Sequence, residues 1–540
     1  MAQLETDNLL VHYNNNSPYY FGMTEAPSGD TEVGKGKISF SLASGEQGGF
    51  FSALDVTRLG LFAQDSINFA GRFTLNLGIR FDHSTTNLKE VSKSDSGNPL
   101  SIQLGDQFIQ PASDLNPYAT FAGFPSWRNM IAWDTFSPRL GLSFDAFGNG
   151  RTIIKASYAR YHELLRIQNL IPLSTLYFNR SHDFVWYDIN MDGQVDGEDT
   201  YSPFPYDFRF YDDQYYQMVL DQDLKSPYVD EYTLGIWSEI FRGLSLRVNY
   251  ILKHKKNIME NVLYSPDLDV SWYTKERAPE GWWIPFNTTV PGTEAYDPTS
   301  LTVYFPSQDA PLPFYRLQNV PELKRQYQAL EFILHKRMSN NWQLHASVVF
   351  SKTTGNIGVG AGFPNAFSLA ADSANYFVNL PNTSSLDFDI PLTIKVMGTY
   401  RFPYDFYLSA YYMHLSGSPW ARSVTIIPPA EWTEQENTLD FPSSVLLEMP
   451  GTRRHDAYNN LNLRVEKEFR LKRFGWFGIS LDIMNLLGST YFLTDLNDGG
   501  YWMPEGENTA VGTRVISPNY DTGVNILGTR EYRLTFRLRF

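Results

Sequence analysis

The sequence predicts an all-β protein whose strands form a transmembrane antiparallel β-barrel with long extracellular loops. Three observations support this prediction. Many stretches alternate apolar with polar residues, most of these stretches are long, and the connections between them alternate between short and long. An alternation of period two gives a strand one apolar face and one polar face.

The C-terminal stretch EYRLTFRLRF shows this alternation over ten residues. Its apolar face consists of Tyr532, Leu534, Phe536, Leu538 and Phe540, and the residues between them are charged or polar. The stretches RFTLNLGIRFD and LNLRVEKEF repeat the pattern. With a weaker stretch at 37–43, about 14 strands are predicted, the others lying at 57–68, 137–146, 151–161, 229–241, 244–254, 325–336, 342–352, 390–401, 405–416 and 475–487.

The length of these strands favours a membrane location. Strands of soluble proteins average about 5–6 residues, whereas a tilted strand that crosses a bilayer needs about 9–11. Many of the predicted strands reach ten residues or more. A soluble β-sandwich or a lipocalin-like barrel remains the alternative, since both also contain alternating strands.

The connections indicate two different rims. Short turns are predicted at 69–72, 147–150, 242–243, 337–341, 402–405 and 471–475. Long segments separate these hairpins at 83–136, 162–228, 255–324, 353–389, 417–457 and 488–528. Outer-membrane barrels have short periplasmic turns and long extracellular loops, so we expect the long segments on the outside of the cell.

Charge and composition exclude several classes of protein. The chain has 540 residues, no cysteine and a net charge of −15, from 44 basic and 59 acidic residues. A nucleic-acid partner is not expected, because nucleic acids select basic surfaces. The sequence contains no apolar run of about 18 residues, so no transmembrane helix is predicted. We expect no enzyme, because the common hydrolase, metalloprotease and phosphate-loop motifs do not occur in the sequence.

Arginines on the polar faces of the strands suit a water-filled interior. A barrel lumen tolerates such charges, whereas on a soluble sandwich they would only be surface residues. The arginines in question are Arg80, Arg139, Arg247, Arg464, Arg537 and Arg539.

Four stretches together resemble the barrel of TonB-dependent outer-membrane receptors, especially the Oar-like group. They are LGLFAQDSINFAGRFTLNLGIRFDH (59–83), FSPRLGLSFDAFGNGRTIIKASYARYHE (136–163), SPYVDEYTLGIWSEIFRGLSLRVNYI (226–251) and FGISLDIMNLLGSTYF (477–492). The terminal strand that ends in Phe540 is similar to the signal that outer-membrane assembly machinery reads. The order and spacing of these stretches over 57–540 make the resemblance specific.

The resemblance implies a location in the bacterial outer membrane and a function in import. Family barrels have 22 strands and an internal plug, and their partners are lipid, lipopolysaccharide, the TonB complex and an extracellular substrate. We find neither a signal peptide, a TonB-contacting segment nor a plug, so we expect this chain to be the C-terminal part of a larger receptor or the product of a truncated gene. About 14 strands could also close as a smaller barrel on their own. In that division, 1–36 is a poorly defined partial barrel segment and 37–540 is the barrel. The substrate is unknown, and the alternative is a passive porin-like, structural or adhesion barrel.

The stretch DINMDGQVDGED (188–199) predicts a calcium site within the long connection 162–228. Short oxygen-bearing side chains alternate around Gly193, where a calcium loop turns sharply. Calcium prefers six to eight oxygen ligands, and such a loop supplies them. The alternative is an acidic, solvated turn. The predicted ligands are Asp188, Asn190, Asp192, Gln194 (through its carbonyl), Asp196 and Asp199.

Tryptophans are frequent in the predicted outer loops. Aromatic faces could bind sugar rings or peptides there, because loops on the outer rim are where a barrel meets its cargo. They could equally pack the long loops into a cap, since long ordered loops need cores of their own. The two interpretations apply to Trp127, Trp133, Trp186, Trp272, Trp282, Trp283, Trp420, Trp432 and Trp502.

Overall fold

A computed structural model gives the fold of the chain. The residues that it describes are 5–6, 21–24, 34–42, 54–88, 91–92, 102–104, 107–109, 123–124, 127–164, 180–188, 200–201, 218–293, 297–311, 314–356, 375, 384–386, 389–438, 443–449, 451–471, 475–489, 491–492, 498–516, 526–527 and 529–540.

Strands make up almost all of the regular structure. Numbered along the chain, the first half contains β1 (Glu5–Thr6), β2 (Phe21–Thr24), β3 (Gly34–Leu42), β4 (Leu54–Phe69), β5 (Phe73–Leu88), β6 (Val91–Ser92), β7 (Ile102–Leu104), β8 (Gln107–Ile109), β9 (Gly123–Phe124), β10 (Trp127–Asp145), β11 (Thr152–His162), β12 (Arg180–Asp188), β13 (Thr200–Tyr201), β14 (Met218–Leu220), β15 (Tyr228–Phe241), β16 (Leu244–Lys256), β17 (Met259–Ser265) and β18 (Val270–Ser271).

The second half continues with one short helix among the strands. It contains β19 (Trp283–Val290), β20 (Thr299–Pro306), β21 (Phe314–Asn319), β22 (Arg325–Ser339), β23 (Trp342–Gly355), β24 (Leu392–Phe402), β25 (Phe406–Leu415), β26 (Pro419–Trp420), β27 (Ser423–Ile426), α1 (Ala430–Gln435), β28 (Ser443–Leu446), β29 (Arg453–Arg454), β30 (Tyr458–Arg470), β31 (Trp476–Met484), β32 (Tyr491–Phe492), β33 (Asp498–Pro504), β34 (Gly512–Val515), β35 (Ile526–Leu527) and β36 (Glu531–Arg539). No helix in the described ranges is long and apolar enough to cross a membrane.

One antiparallel sheet of 14 strands dominates the molecule. Its order is β1-β4-β5-β10-β11-β15-β16-β22-β23-β24-β25-β30-β31-β36, so strands that follow each other along the chain are neighbours in space. Apart from the two-residue β1, these strands have 9 to 19 residues. The predicted long, alternating strands are confirmed, and the length needed to cross a bilayer is met.

The six predicted short turns are also confirmed, and all of them connect neighbouring strands of the large sheet. The tightest joins β15 to β16 through Arg242 and Gly243. Gly243 has φ +82°, a conformation that glycine adopts without the steric cost of a side chain. The six longer connections all leave from the opposite ends of the same strands, as the sequence predicted.

One predicted strand does not belong to the large sheet. The stretch at 37–43 falls in β3, which pairs with β2 and β12 in a separate four-stranded sheet. Its alternation correctly predicted a strand, but a period of two does not identify the partner of a strand. The fourteenth strand of the large sheet is instead β1, which pairs with β4 at only two positions. The division into 1–36 and 37–540 stays a prediction.

The apolar face of the large sheet is exposed over most of its length. On β15, for example, Tyr232, Leu234 and Ile236 are 46%, 55% and 48% exposed. On β36, Leu534 and Phe536 are 58% and 62% exposed. A continuous uncovered apolar surface of this extent is typical of contact with lipid and not with water.

The buried hydrophobic clusters lie mainly in the long connections, beyond one end of the large sheet. Several small sheets form there, including β14-β21-β17-β18, β19-β20 and β28-β27-β33-β34. The large sheet therefore has no conventional core of its own between two layers. We call the assembly of long connections the cap.

Candidate functional site

Most of the predicted calcium stretch lies outside the described residues. Asp188 is the last residue of β12, and its backbone pairs with Gly34 of β3. The flanks of the stretch are paired with each other, Tyr187 with Thr200 in a hairpin of β12 and β13. The predicted ligands outside the described residues are Asn190, Asp192, Gln194, Asp196 and Asp199. The calcium site therefore stays a prediction.

The face of the large sheet opposite the lipid-facing one is polar, and we call it the water-facing side. The predicted arginines lie on it, because they alternate with the exposed apolar residues of their strands. Arg80 donates two hydrogen bonds to Asp82 on the same strand, at 2.7 and 2.6 Å. Arg139 lies over the ring of Tyr161, 5.4 Å from its centroid. These arginines are thus partly paired, within a strand by Asp82 and between strands by the Tyr161 ring, while they stay exposed to solvent.

The clearest charge network on this side joins β30, β31 and β36. Arg464 contacts Glu466 at 3.1 Å and Asp482 at 3.6 Å, and it donates a hydrogen bond to Ser480 at 2.9 Å. Arg537 lies 4.0 Å from Glu466. Two arginines and two carboxylates thus offset each other, so the network holds neighbouring strands together without a net charge on the wall.

A cavity of about 750 Å³ extends along the same side. Polar side chains from seven adjacent strands line it, and they include both donors and acceptors. Those that define it are His335, His345, Thr399, Tyr411, Asn462, Arg464, Asp482 and Arg533. A wall of this composition is wetted by water and can exchange hydrogen bonds with a polar solute.

The cap above this wall has a hydrophobic core made by three of the long connections. Phe286 and Phe305 come from the connection between β16 and β22, Trp432 from that between β25 and β30, and Trp502 from that between β31 and β36. Phe286 meets Trp432 edge to face at 4.7 Å. Trp502 is fully buried, and its Nε1 donates a hydrogen bond to Thr288 Oγ1 at 2.9 Å.

Other contacts attach two further connections to this cap. A second cluster joins Leu224 from the β11–β15 connection to Met259 of β17 and to Trp133 of the strand β10. Asn375, from the β23–β24 connection, exchanges two hydrogen bonds with the backbone of Tyr304, at 2.7 and 2.9 Å. Five of the long connections therefore contribute described residues to one cap.

The packing interpretation of the loop tryptophans is confirmed for six of them. They are buried in the cap and are not displayed to the outside: Trp133, Trp272, Trp283, Trp420, Trp432 and Trp502. Trp282 is half-buried against the cluster around Trp272. The side chains of Trp127 and Trp186 lie outside the described residues.

A charged triad in the cap was not visible in the sequence. Glu322 accepts hydrogen bonds from Arg277 Nε and from the Tyr273 hydroxyl, both at 2.8 Å. Burial opposes ionisation of Glu322, but these two hydrogen bonds outweigh it and hold the pKa of the carboxyl below its usual value. Burial and the Glu322 carboxylate both raise the pKa of Tyr273. About 45 residues separate the partners, so no local pattern signals the contact.

A catalytic constellation is not found among the described residues. No group of three or more His, Cys, Asp or Glu side chains there is placed to hold a metal ion. The most densely charged positions, around Arg464 and Glu322, are ion pairs that stabilise the wall and the cap. The polar lining of the cavity on the water-facing side can exchange hydrogen bonds with water or a polar solute.

Comparison with known proteins provides information on the family of this chain. The family model of the outer membrane beta barrel domain matches residues 29–421. The TonB-dependent transporter Oar of Myxococcus xanthus is 33% identical over 108 residues, which are 20% of this chain and 7% of that protein.

Comparison with solved structures finds outer-membrane transporters and receptors at low identity and with TM-scores below 0.5. The transporter YddB of Escherichia coli has 13% identity and a TM-score of 0.43, covering 94% of this chain and 60% of its own. The siderophore receptor PiuA of Acinetobacter baumannii has 11% identity and a TM-score of 0.42, covering 85% of this chain and 49% of its own. The chain thus spans at most 60% of the length of these three relatives.

The family match covers most of the large sheet, from before β3 to after β26. It agrees with the long strands, the exposed apolar face and the polar opposite face described above. The chain belongs to the outer membrane beta barrel domain family, it resembles TonB-dependent receptors, and its location is the bacterial outer membrane.

Proposed function

We propose that this chain forms the wall and the outer cap of a receptor that imports a solute across the outer membrane. The observation that supports this most is the polar water-facing side lying beneath one cap to which five long connections contribute. A cap of this kind limits free diffusion and offers a surface for selective binding, whereas the polar wall favours passage of hydrophilic cargo. The cargo itself stays unassigned.

Energy coupling is the second part of the proposal. The resemblance to TonB-dependent receptors suggests that an inner-membrane motor acts through the TonB complex on a plug inside the barrel. Binding of the solute at the cap would then come first, and the TonB complex would open the lumen afterwards by pulling on the plug. A passive porin-like barrel would instead conduct solutes without energy, and a structural or adhesion barrel would conduct none.

Uptake by living cells distinguishes these functions. A strain that lacks the gene is compared with the wild type for depletion of compounds from a defined medium, with and without an agent that dissipates the inner-membrane proton gradient. The proposal predicts depletion that requires both the gene and the gradient. Gene-dependent depletion that survives loss of the gradient would support the passive alternative, and equal depletion in both strains would contradict import.

We also propose that residues 188–199 bind calcium and stiffen the β11–β15 connection. The pairing of Tyr187 with Thr200 supports this, because it closes the stretch at its base. The first and last ligands of a calcium loop must reach the same ion. Affinity in the range of about 10⁻⁴–10⁻³ M is expected, as in other extracellular modules.

Calorimetric titration of the refolded chain with calcium tests this site. One calcium should bind, and Asp192→Ala with Asp196→Ala should abolish the heat of binding. Asp297→Asn removes an exposed carboxylate of the cap outside the stretch and serves as the control. Unchanged binding in the double variant would show that the stretch is only a solvated acidic turn.

A further inference from the structure

The lipid-facing side of β16, β22 and β23 changes character near the cap. Register aligns Tyr250, Leu330 and Phe350 in one row across the three strands, and these side chains are 43%, 38% and 51% exposed. This row is the last one on this face that is entirely apolar or aromatic. Such a row marks the upper limit of the hydrocarbon layer, where aromatic residues accumulate in barrels.

The rows that follow are polar and basic. The next aligned row, two residues or about 7 Å further along the strands, holds Leu252, Gln328 and Lys352. The row after that holds His254, Gln326 and Thr354. Lys256 and Lys324 lie beyond it, at the end of β16 and just before β22. Three lysines thus follow the apolar row, from the first polar row to the end of β16.

These residues line a concave site and not a flat surface. A cavity of about 630 Å³ lies between the strands and the segment 319–325, which leads from β21 into β22. The cavity is lined by polar and basic side chains of both parts: His254, Lys256, Gln326, Gln328, Lys352 and Thr354 from the strands, and Asn319 and Lys324 from the segment. A headgroup-sized ligand can therefore be held from more than one side.

The carboxylates near the cavity are already paired with other cations. Asp230 accepts hydrogen bonds from Arg160 at 2.8 and 3.1 Å and from the Tyr158 hydroxyl at 3.0 Å. Glu163 contacts Lys255 at 2.6 Å, and Glu322 is bound by Arg277. These cations largely neutralise the negative charge of the three carboxylates near the cavity.

Lys255 also lines the cavity and is the lysine paired with Glu163, but three other lysines of the cavity have no such partner among the described residues. Lys256, Lys324 and Lys352 are all exposed, and none forms an ion pair with another described residue. This local positive excess occurs in a chain whose net charge is −15. Long lysine side chains near a membrane boundary extend their ammonium groups toward the headgroup layer, so the cavity presents them at the depth of lipid phosphates.

We propose that this cavity binds the phosphate-bearing headgroup of a lipid of the outer leaflet. The lysines would contact the phosphate, the polar side chains of Gln326, Gln328 and Thr354 would bond to headgroup hydroxyls, and the acyl chains would lie against the row of Tyr250, Leu330 and Phe350. A protein partner fits less well, because the cavity opens directly above the lipid-facing apolar row. The inference depends on the outer-membrane location and not on the identity of any cargo.

Lipid titration of the full-length chain in neutral detergent micelles tests the proposal. The ligand is a glucosamine-disaccharide lipid that carries two phosphates, and native mass spectrometry counts the bound molecules. We expect one tightly bound lipid and at least tenfold weaker binding of the same lipid after its phosphates are removed. Inorganic phosphate at equal concentration should not compete.

Matched variants separate the cavity from charge in general. Replacing both Lys256 and Lys352 by glutamine should weaken binding about 30-fold, since each basic residue near a lipid surface contributes about a factor of five. The control replaces Lys155 and Lys395 by glutamine, which removes the same charge from exposed positions on the water-facing side. Arginine at 256 and 352 should restore binding and shows that the site tolerates substitution.

The opposite results would overturn the proposal. Equal affinity for the phosphorylated and dephosphorylated lipid would mean that phosphate is not recognised. Equal weakening in the control variant would mean that binding reflects overall charge. Competition by inorganic phosphate at the lipid's own concentration would identify a site for free phosphate instead of a lipid headgroup.

Discussion

Replacement of Trp502 by alanine should loosen the cap as a unit and leave the membrane-spanning sheet intact. Trp502 is fully buried in a cluster to which three long connections contribute, and its indole donates a hydrogen bond to Thr288. Truncation of a buried tryptophan to alanine costs about 3–5 kcal/mol, because contacts are lost and a cavity remains. Local opening of the cap should therefore become about 10²–10⁴ times more frequent.

Hydrogen exchange followed by mass spectrometry measures this opening directly. Peptides that cover β19, β27 and β28 should lose protection together with the peptide that contains residue 502, although they belong to different connections. Trp502→Phe, which keeps most of the apolar volume and removes the hydrogen bond, should cost about 1–2 kcal/mol. Trp342→Ala is the control, because Trp342 is 37% exposed beside a short turn at the opposite rim.

Either of two results would show that the cap does not open as one unit around Trp502. Loss of protection limited to β33 and β34 would show that the connections open independently and that the cap is not one cooperative unit. A comparable loss in the cap of the Trp342→Ala variant would show that the effect does not depend on the cluster.

Three further predictions concern the cap and the large sheet. The pKa of Glu322 is lower in the folded protein than its ordinary value of 4.5. The stabilisation from the ionised carboxylate is therefore complete above pH 4.5 and is lost as the pH falls through the folded-state pKa. The fluorescence of the cap tryptophans should show this acid transition, and Glu322→Gln should remove it. Arg454 contacts the buried Asp389 at 2.6 Å, so Arg454→Gln should destabilise the β23–β24 connection by about 3 kcal/mol and speed its proteolysis, whereas Arg453→Gln should have a smaller effect. Among the described strands, β36 pairs with β31 alone, and β4 has most of one edge unpaired. Because unpaired strand edges promote association, analytical ultracentrifugation in detergent should detect association of isolated chains. A strictly monomeric chain would contradict this.

The strands and turns of the large sheet were predictable because lipid and water impose the alternation locally. In β36, each residue from Tyr532 to Arg539 indicates its side of the sheet by its own polarity. The same rule failed for β3, because a strand in a small sheet outside the wall shows the same period. Alternation therefore identifies a strand without identifying its sheet.

The cap and the basic cavity were less accessible to prediction because they depend on distant pairings. The loop tryptophans were compatible with both display and packing until Trp502 and Phe286, more than 200 residues apart, were seen in one cluster. Lys256 and Lys352 line the same cavity only because β22 lies between β16 and β23 and fixes their register. A local sequence pattern does not encode how distant segments align or pack. The cap cluster and the basic cavity therefore could not be predicted from the sequence.

Cysteine scanning of β15 tests most directly whether lipid covers one side of the sheet and water the other. The chain has no cysteine, so a single Thr233→Cys or Leu234→Cys substitution gives a unique label site. In reconstituted membranes, a fluorophore at 234 should be quenched by brominated lipid and protected from charged thiol reagents, and the neighbouring position 233 should behave in the opposite way. Equal quenching at both positions, or ready reaction of both with the charged reagent, would contradict the account.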